Sequence, residues 1–388
     1  MKIVFVSNYF NHHQKPFCEA MYKRFGADFV FIATSVMGTA RKKLGYSQND
    51  IPSYVLLSYL DEQHTKEAKN IINDATVAIY GSAPNGLLME RIRSKKLVFR
   101  YSERPFKKRI SVARKMFHTI KCHWNDLLSN KVYLLCASAY APIDYSKMRM
   151  YKNRMYKWGY FPKKHEHDVD LLFKNKKQNN ILWCGRFIDW KHPDDAIALA
   201  CKLKDAGYEF KLSFIGAGIM ENQLRQSVID LELGDYVEFL GSMTPENVRL
   251  KMEETGIYLF TSDKGEGWGA VLNESMNSGC AVVASHAIGS VPYLVKNDEN
   301  GYIYQSGNKD MLFEKVSYLL DHPEKQRDMG IAAYKTIFET WNAEVSTDRF
   351  INLIETILSG EKSPQLYQSG PCSRAEIVKD DWFQKEEL

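Results

Sequence analysis

Short apolar runs alternate with longer amphipathic ones from one end of this chain to the other. In the first half the runs "KIVFVS", "FVFIAT", "YVLLSY", "VAIYG", "LVFRYS", "VYLLCAS" and "MYKWGY" have the length and the β-branched and aromatic content of buried strands. Helical patterns lie between them, at 15–25, 61–73, 84–95 and 107–128. The second half repeats the scheme with "NILWCGR", "KLSFIGAG", "VEFLG", "IYLFTS", "AVVAS" and "GYIY". Strands separated by helices cannot pair as hairpins. They make a parallel sheet covered by helices on both faces.

A polar, lysine-rich stretch, "FPKKHEHDVDLLFKNKKQNN" at 161–180, separates the two series. The expected architecture is α/β, with two Rossmann-like domains over 1–165 and 166–342. Ligands of such sheets bind beyond the carboxyl ends of the strands, and two facing domains put the main site in the cleft between them. A helix is expected over 343–360. The polar, weakly patterned segment 361–388 is expected to be a partly disordered tail.

Composition narrows the partners. With 388 residues, 45% hydrophobic and 13% aromatic, the chain can fill two cores. No apolar run reaches the roughly 20 residues of a membrane span. The start, "MKIVFVSNYF", reads as a first strand and not as a secretory leader. The seven cysteines are odd in number, form no CxxC and sit mostly in apolar segments, so buried thiols in a reducing cytoplasm are expected and a zinc site is not. Residues 1–165 hold 29 Lys+Arg against 11 Asp+Glu, and the rest of the chain 23 against 36. A basic first half calls for phosphate, nucleic acid or an anionic membrane.

The residues with chemistry cluster at strand ends of the second series. The first strand runs into Gly185, Arg186 and, five residues on, Lys191; a guanidinium fork and an ammonium at that spacing can clamp a diphosphate. "FIGAG" places Gly216 and Gly218 at the next strand end, where they serve either a ligand or a tight strand-to-helix turn. The fourth strand leads into "KGEGWGAVLNESMNSG". A helix starting near Gly269 and ending at Gly279 puts Glu266 just ahead of its N-terminus and Glu274 inside it. Bare amides from Gly267, Trp268, Gly269, Ala270 and Val271 suit a phosphate, as does the helix dipole. Ionised carboxylates accept hydrogen bonds and cannot donate them, so the two glutamates suit hydroxyls. Hydroxyls, diphosphate, then hydroxyls describes a nucleotide-sugar, with Glu266 on the sugar and Glu274 on the ribose; the plainer alternative is a surface Glu266 and a solvated helix-face Glu274. Trp268 could wall the sugar pocket.

Together these motifs resemble the retaining glycosyltransferases of GT-B fold, family 4. Their E-x7-E is matched by Glu266 and Glu274, and their Gly-Arg…Lys by Gly185, Arg186 and Lys191; "SGCAVVASHAIGSVPYLV" also looks like the family's following stretch. The resemblance covers residues 180–340 well and the first half in outline. It implies hexosyl transfer from a nucleotide-sugar, UDP by family frequency, with anomeric retention. It also implies no cofactor and no metal, with Arg186 and Lys191 stabilising the leaving diphosphate. Asp168 and Asp170 form a D-x-D, but in the linker, and are not read as a metal site.

The first domain is expected to hold the acceptor. Its first strand opens into Asn11, His12, His13 and Gln14, able to bond sugar hydroxyls or phosphate, with helix capping by Asn11 as the plainer alternative. Many family members have a catalytic histidine after a later strand. Here Ser102 and Glu103 stand in that place, which leaves the base open; Glu103 is a candidate for contacting the sugar or assisting the acceptor. Gly81 and Ser82 lie at another strand end. Residues 104–124 hold seven Lys/Arg and no acid, with Ile110, Ala113, Phe117, Ile120 and Trp124 at helical spacing. Such a helix either packs on the core or lies on anionic lipid. The expectation is a cytoplasmic enzyme, peripheral on the inner face of a bacterial cell membrane, acting on a saccharide or lipid-linked saccharide in capsule or O-antigen-type polysaccharide synthesis. Nucleic acid is not an expected partner, since no binding motif accompanies the charge. Rival readings are a non-catalytic nucleotide-sugar-binding protein, a GT-B epimerase and a dinucleotide oxidoreductase. The last would need glycines that "SNYFNHHQ" lacks.

Overall fold

The structure, a computed structural model, describes residues 1–38, 51–107, 116–117, 119–120, 126 and 129–383. Two parallel sheets form. The first holds β1 (Ile3–Ser7), β2 (Phe29–Ala33), β3 (Val55–Leu57), β4 (Val77–Tyr80), β5 (Leu97–Ser102), β6 (Val132–Cys136) and β7 (Met155–Lys157), in the order β3-β2-β1-β4-β5-β6-β7. The second holds β8 (Lys177–Cys184), β9 (Lys211–Ile215), β10 (Val237–Phe239), β11 (Thr255–Phe260), β12 (Ala281–Ser285) and β13 (Tyr302–Tyr304), in the order β10-β9-β8-β11-β12-β13. β1, β4, β6, β11 and β12 are buried along their whole length, as strands with helices on both faces must be. The α/β reading of two Rossmann-like domains therefore holds.

Each sheet reverses its winding once, and this places the ligand sites. In the first, the chain moves outward from β1 to β3 and returns to lay β4 on the other side of β1. In the second, β9 and β11 flank β8 in the same way. The loops leaving two neighbouring strands then diverge to opposite faces and open a crevice between them.

The chain divides into two compact units: residues 1–163 with 342–379, and residues 164–341 with 380–388. The helix Ala343–Leu358 belongs to the first unit, where Phe350 meets Phe99 (4.9 Å between ring centroids), Trp158 (5.4 Å) and Phe17 (6.3 Å).

The segment expected to be partly disordered is held along the edge of the first sheet. Cys372 N donates to Lys157 O at 2.8 Å, Lys157 N to Ser373 O at 2.8 Å, and Ala375 N to Met155 O at 3.1 Å. Tyr133 and Tyr156 donate their phenols to Lys362 O and Pro364 O. The physical reason is that β7 is an edge strand with unpaired backbone groups, and backbone pairing leaves little trace in side-chain composition. The last described residues return to the second unit, where Phe383 stacks on His286 and Asp380 O bonds its Nε2 at 3.2 Å.

Of the basic stretch 104–124, residues 108–115, 118 and 121–124, including Ile110, Ala113 and Trp124, lie outside the described residues. Phe117 and Ile120 are 69% and 58% exposed, so this part of the apolar stripe does not pack on the core. No helix among the described residues is long and apolar enough to cross a membrane.

Candidate functional site

In the second unit the crevice lies between the loops that follow β8 and β11. The β8 loop is zipped to the β9 loop: Gly185 N donates to Ile215 O at 2.9 Å, Phe187 N to Ala217 O at 3.0 Å and Met220 N to Phe187 O at 3.1 Å. Gly216 sits at φ +137°, and a Cβ there would lie 1.8 Å from Gly185 O; one on Gly218 would lie 2.3 Å from Phe187 O. These two glycines thus answer to backbone packing, the plainer of their two readings, and their role in the site is to fix the loop bearing Arg186. The Arg186 side chain is exposed, lies over Trp190 at 5.5 Å and has no hydrogen-bond partner among the described residues.

Lys191 ends a short 3-10 turn, Asp189–Lys191, and His192 follows in the left-handed region at φ 48°. The Lys191 ammonium pairs with Glu266 and lies 5.1 Å from the Trp190 ring and 5.5 Å from the Phe260 ring. Glu266 Oε2 also accepts from Ser262 Oγ at 3.3 Å. The sequence expectation therefore brings Lys191 and Glu266 together from two different strands. Burial pushes the Cys184 thiol at the end of β8 up to about 12, with Glu274 adding to the rise and Lys191 opposing it, so both charges reach that strand end.

The helix Ala270–Asn277 starts where the motif predicts. Its N-cap, Gly269, has φ +87°, and a Cβ there would meet Phe260 Cζ at 2.4 Å, so only glycine opens this helix. The amides of Ala270 and Val271 follow, with no carbonyl a turn behind them. Burial raises the Glu274 carboxyl to about 7. Trp268 corrects an expectation. Its side chain is wholly buried, its Nε1 donates to Asn273 Oδ1 at 2.9 Å, and its ring packs against Tyr293 and Trp341. It braces the helix from inside and cannot wall a sugar pocket; Gly267 beside it is buried too. In the linker, Asp168 caps a helix by accepting from Leu171 N, and Asp170 pairs with Arg327.

In the first unit the corresponding crevice lies after β1 and β4. Asn11 Oδ1 accepts from His13 N at 3.0 Å and Gln14 N at 3.3 Å, so Asn11 shapes the turn into the helix Lys15–Phe25, the plainer of its two readings. Gln14 Nε2 donates to Ser7 Oγ at 3.3 Å, while its amide oxygen is buried with no partner among the described residues. Ser7 Oγ also lies 3.2 Å from where a Cβ on Gly81 would stand. The His12 and His13 rings are 3.7 Å apart and half-buried, and His13 stacks on Tyr160 at 5.8 Å. Tyr160 Oη donates to Glu103 Oε1 at 2.6 Å, and Lys107 pairs with Glu103 Oε2. Ser102 Oγ donates to Glu103 O and lies 2.9 Å from Tyr145 Oη. Tyr160 thus joins the β1 loop to the β5 loop. Its place at the end of the "MYKWGY" run, three residues past the strand Met155–Lys157, is the sequence signal for it. Thr261 and Ser262, which end "IYLFTS", and Asp263 after them carry no motif that marks them in the sequence.

Residues 166–336 match the family model of glycosyl transferases group 1. This segment is similar to the group 1 glycosyltransferases. It holds all of Arg186, Lys191, Glu266 and Glu274. Among curated proteins the chain is similar to N-acetyl-alpha-D-glucosaminyl L-malate synthase of Bacillus anthracis, 26% identical over 50% of this chain and 49% of that one. It is also similar to the amylovoran biosynthesis glycosyltransferase AmsK of Erwinia amylovora, 32% identical over 46% of this chain and 44% of that one. The chain spans about half the length of the curated relatives it matches. A solved structure of Anabaena Alr3699/HepE in complex with UDP is similar over 92% of this chain and 100% of its own, with a TM-score of 0.67 and 15% identity. At that identity the likeness concerns fold, and the fold is GT-B.

Proposed function

We propose that this protein transfers a hexosyl group from a nucleotide-sugar, most simply a UDP-sugar, to a hydroxyl of a saccharide acceptor, with retention at the anomeric carbon. One observation carries the reading: Lys191 from the β8 loop pairs with Glu266 from the β11 loop where the sheet reverses, with Arg186 on the first of these loops and a helix N-terminus following the second. Two cations and bare amides suit a diphosphate, and carboxylates suit the hydroxyls on either side of it. UDP, held by the solved relative, has this chemistry.

In the proposed reaction the bond from the anomeric carbon to the diphosphate oxygen breaks as the acceptor oxygen bonds to that carbon. Charge builds on the leaving phosphate, where Arg186 and Lys191 stabilise it in place of a metal. The ring passes through an oxocarbenium-like state, and the acceptor's proton goes to the departing phosphate oxygen. Glu266 holds sugar hydroxyls and Glu274 the ribose. In the first unit, His12, His13, Gln14 and Ser102 would bind the acceptor. Glu103, held by Tyr160 and Lys107, would position that site.

The biological setting we propose is assembly of a bacterial surface polysaccharide on a lipid-linked acceptor at the cytoplasmic face of the membrane. The similarity to an amylovoran biosynthesis enzyme supports it, as do the basic first unit and the exposed Phe117 and Ile120. The test is release of nucleoside diphosphate from a panel of UDP-, GDP- and ADP-hexoses. One donor class should be turned over by the wild-type protein, and Glu274→Ala should weaken its binding. No release from any donor would overturn the proposal.

A further inference from the structure

We infer that Thr261 is a positioning residue whose buried hydroxyl sets the place of Lys191 relative to the Glu266 loop. The inference rests on the proposed reading of Lys191 as the lysine that stabilises the leaving diphosphate. Thr261 stands at the end of β11 and is 1% exposed. Its Oγ1 accepts a hydrogen bond from the indole Nε1 of Trp183, on β8, at 2.8 Å. The same oxygen donates to the main-chain oxygen of Lys191 at 2.7 Å. A hydroxyl has one proton. With an indole N–H already donating to it, that proton has a single use, so the direction of both bonds is fixed.

The consequence follows from where Lys191 sits. Its backbone lies in a three-residue turn followed by a left-handed His192, with local bonds from Lys191 N to Ile188 O and His192 N to Asp189 O at 3.0 Å each. Its side chain is boxed by Trp190, Phe260 and Glu266, so a shift of its backbone moves the ammonium. Asp263 adds a second stitch between the same loops: its N donates to Trp190 O at 3.0 Å and its carboxylate lies 3.5 Å from His192 Nε2. That side-chain contact is about a third exposed on each partner, whereas Thr261 is buried and its bond from Trp183 lies in the interior.

The test is steady-state kinetics, following nucleoside diphosphate release from a panel of UDP-, GDP- and ADP-hexoses. Thr261→Val keeps the shape and removes both bonds; it should lower kcat about 10- to 100-fold with donor KM within about threefold. Thr261→Ser restores the hydroxyl and should recover kcat to within about threefold. Because the hydroxyl acts through the lysine, Thr261→Val combined with Lys191→Ala should be no slower than Lys191→Ala alone. Where Thr261→Val gives no folded protein, Trp183→Phe carries the comparison. A kcat loss of about threefold that vanishes in the Lys191→Ala background supports the role, and an unchanged kcat overturns it. Additive losses in the double variant would reduce Thr261 to a packing residue. Wild-type kcat in Thr261→Val beside an impaired Lys191→Ala would remove the positioning role and leave the lysine reading standing. Wild-type kcat in Lys191→Ala would remove that reading and the inference with it.

Discussion

Burial raises the Glu274 carboxyl from an ordinary 4.5 to about 7, and this has consequences for stability and for binding. The folded protein holds the proton more tightly than the unfolded chain does. Stability is therefore fully present below pH 4.5 and lost as pH rises through 7. Partial exposure of the side chain limits the loss to about 1–3 kcal/mol. Glu274→Gln should accordingly raise the melting temperature at pH 8 and leave it unchanged at pH 4.5. In the proposed reading the ionised carboxylate accepts from ribose hydroxyls on both oxygens, and protonation takes away one of those acceptors and the charge that strengthens the other. Affinity for a UDP-hexose, which itself does not titrate in this range, should fall about tenfold between pH 8 and pH 6, as a calorimetric titration would read. In Glu274→Gln the affinity should be lower and flat with pH. Gly269 is constrained by geometry where Glu274 is constrained by charge. Gly269→Ala forces a left-handed φ and a collision with Phe260, and should cost about 1–3 kcal/mol in a urea titration.

At the scale of elements, a buried ion pair anchors the loop that carries Ser102 and Glu103. Arg104 reaches Asp144 at 3.3 Å, both side chains nearly inaccessible, and Asp144 Oδ2 also accepts from Phe106 N at 3.1 Å. Asp144→Ala removes the carboxylate that faces a buried guanidinium and should cost about 3–5 kcal/mol in urea unfolding. A chain ending at residue 360 should melt lower than the full chain and aggregate, because it uncovers the edge of β7 and the phenols of Tyr133 and Tyr156. The strands were legible in the sequence because each is a run of buried apolar residues bounded by turns, and period and length suffice for that. The helix Ala270–Asn277 was legible from glycine at both ends. Pairing of 372–375 along β7 was not, since main-chain groups carry it. Nor was the inward turn of Trp268: a tryptophan between two glycines reads equally as a pocket wall or a core ring, and only the packing of Tyr293 and Trp341 decides. Lys191 and Glu266 could be named from spacing, whereas the Trp183–Thr261 link joins residues 78 apart and has no local signature.

For the whole molecule, charge asymmetry and chemistry point to different surfaces. The basic first half and the exposed Phe117 and Ile120 suit an anionic bilayer, while the glutamates and cations of the second unit suit a nucleotide-sugar. The full chain should therefore sediment with phosphatidylglycerol vesicles at low salt and release them at high salt. Failure to sediment at low salt would remove the membrane from the account and leave the chemistry untouched. The central claim is retaining transfer from a nucleotide-sugar, and proton NMR of the donor's slow hydrolysis tests it without knowledge of the acceptor. With an α-linked UDP-hexose, the account predicts stoichiometric UDP and a first-formed free sugar whose anomeric proton shows the small coupling of the α-anomer. A first-formed β-anomer, or no release of nucleoside diphosphate from any UDP-, GDP- or ADP-hexose, would contradict it.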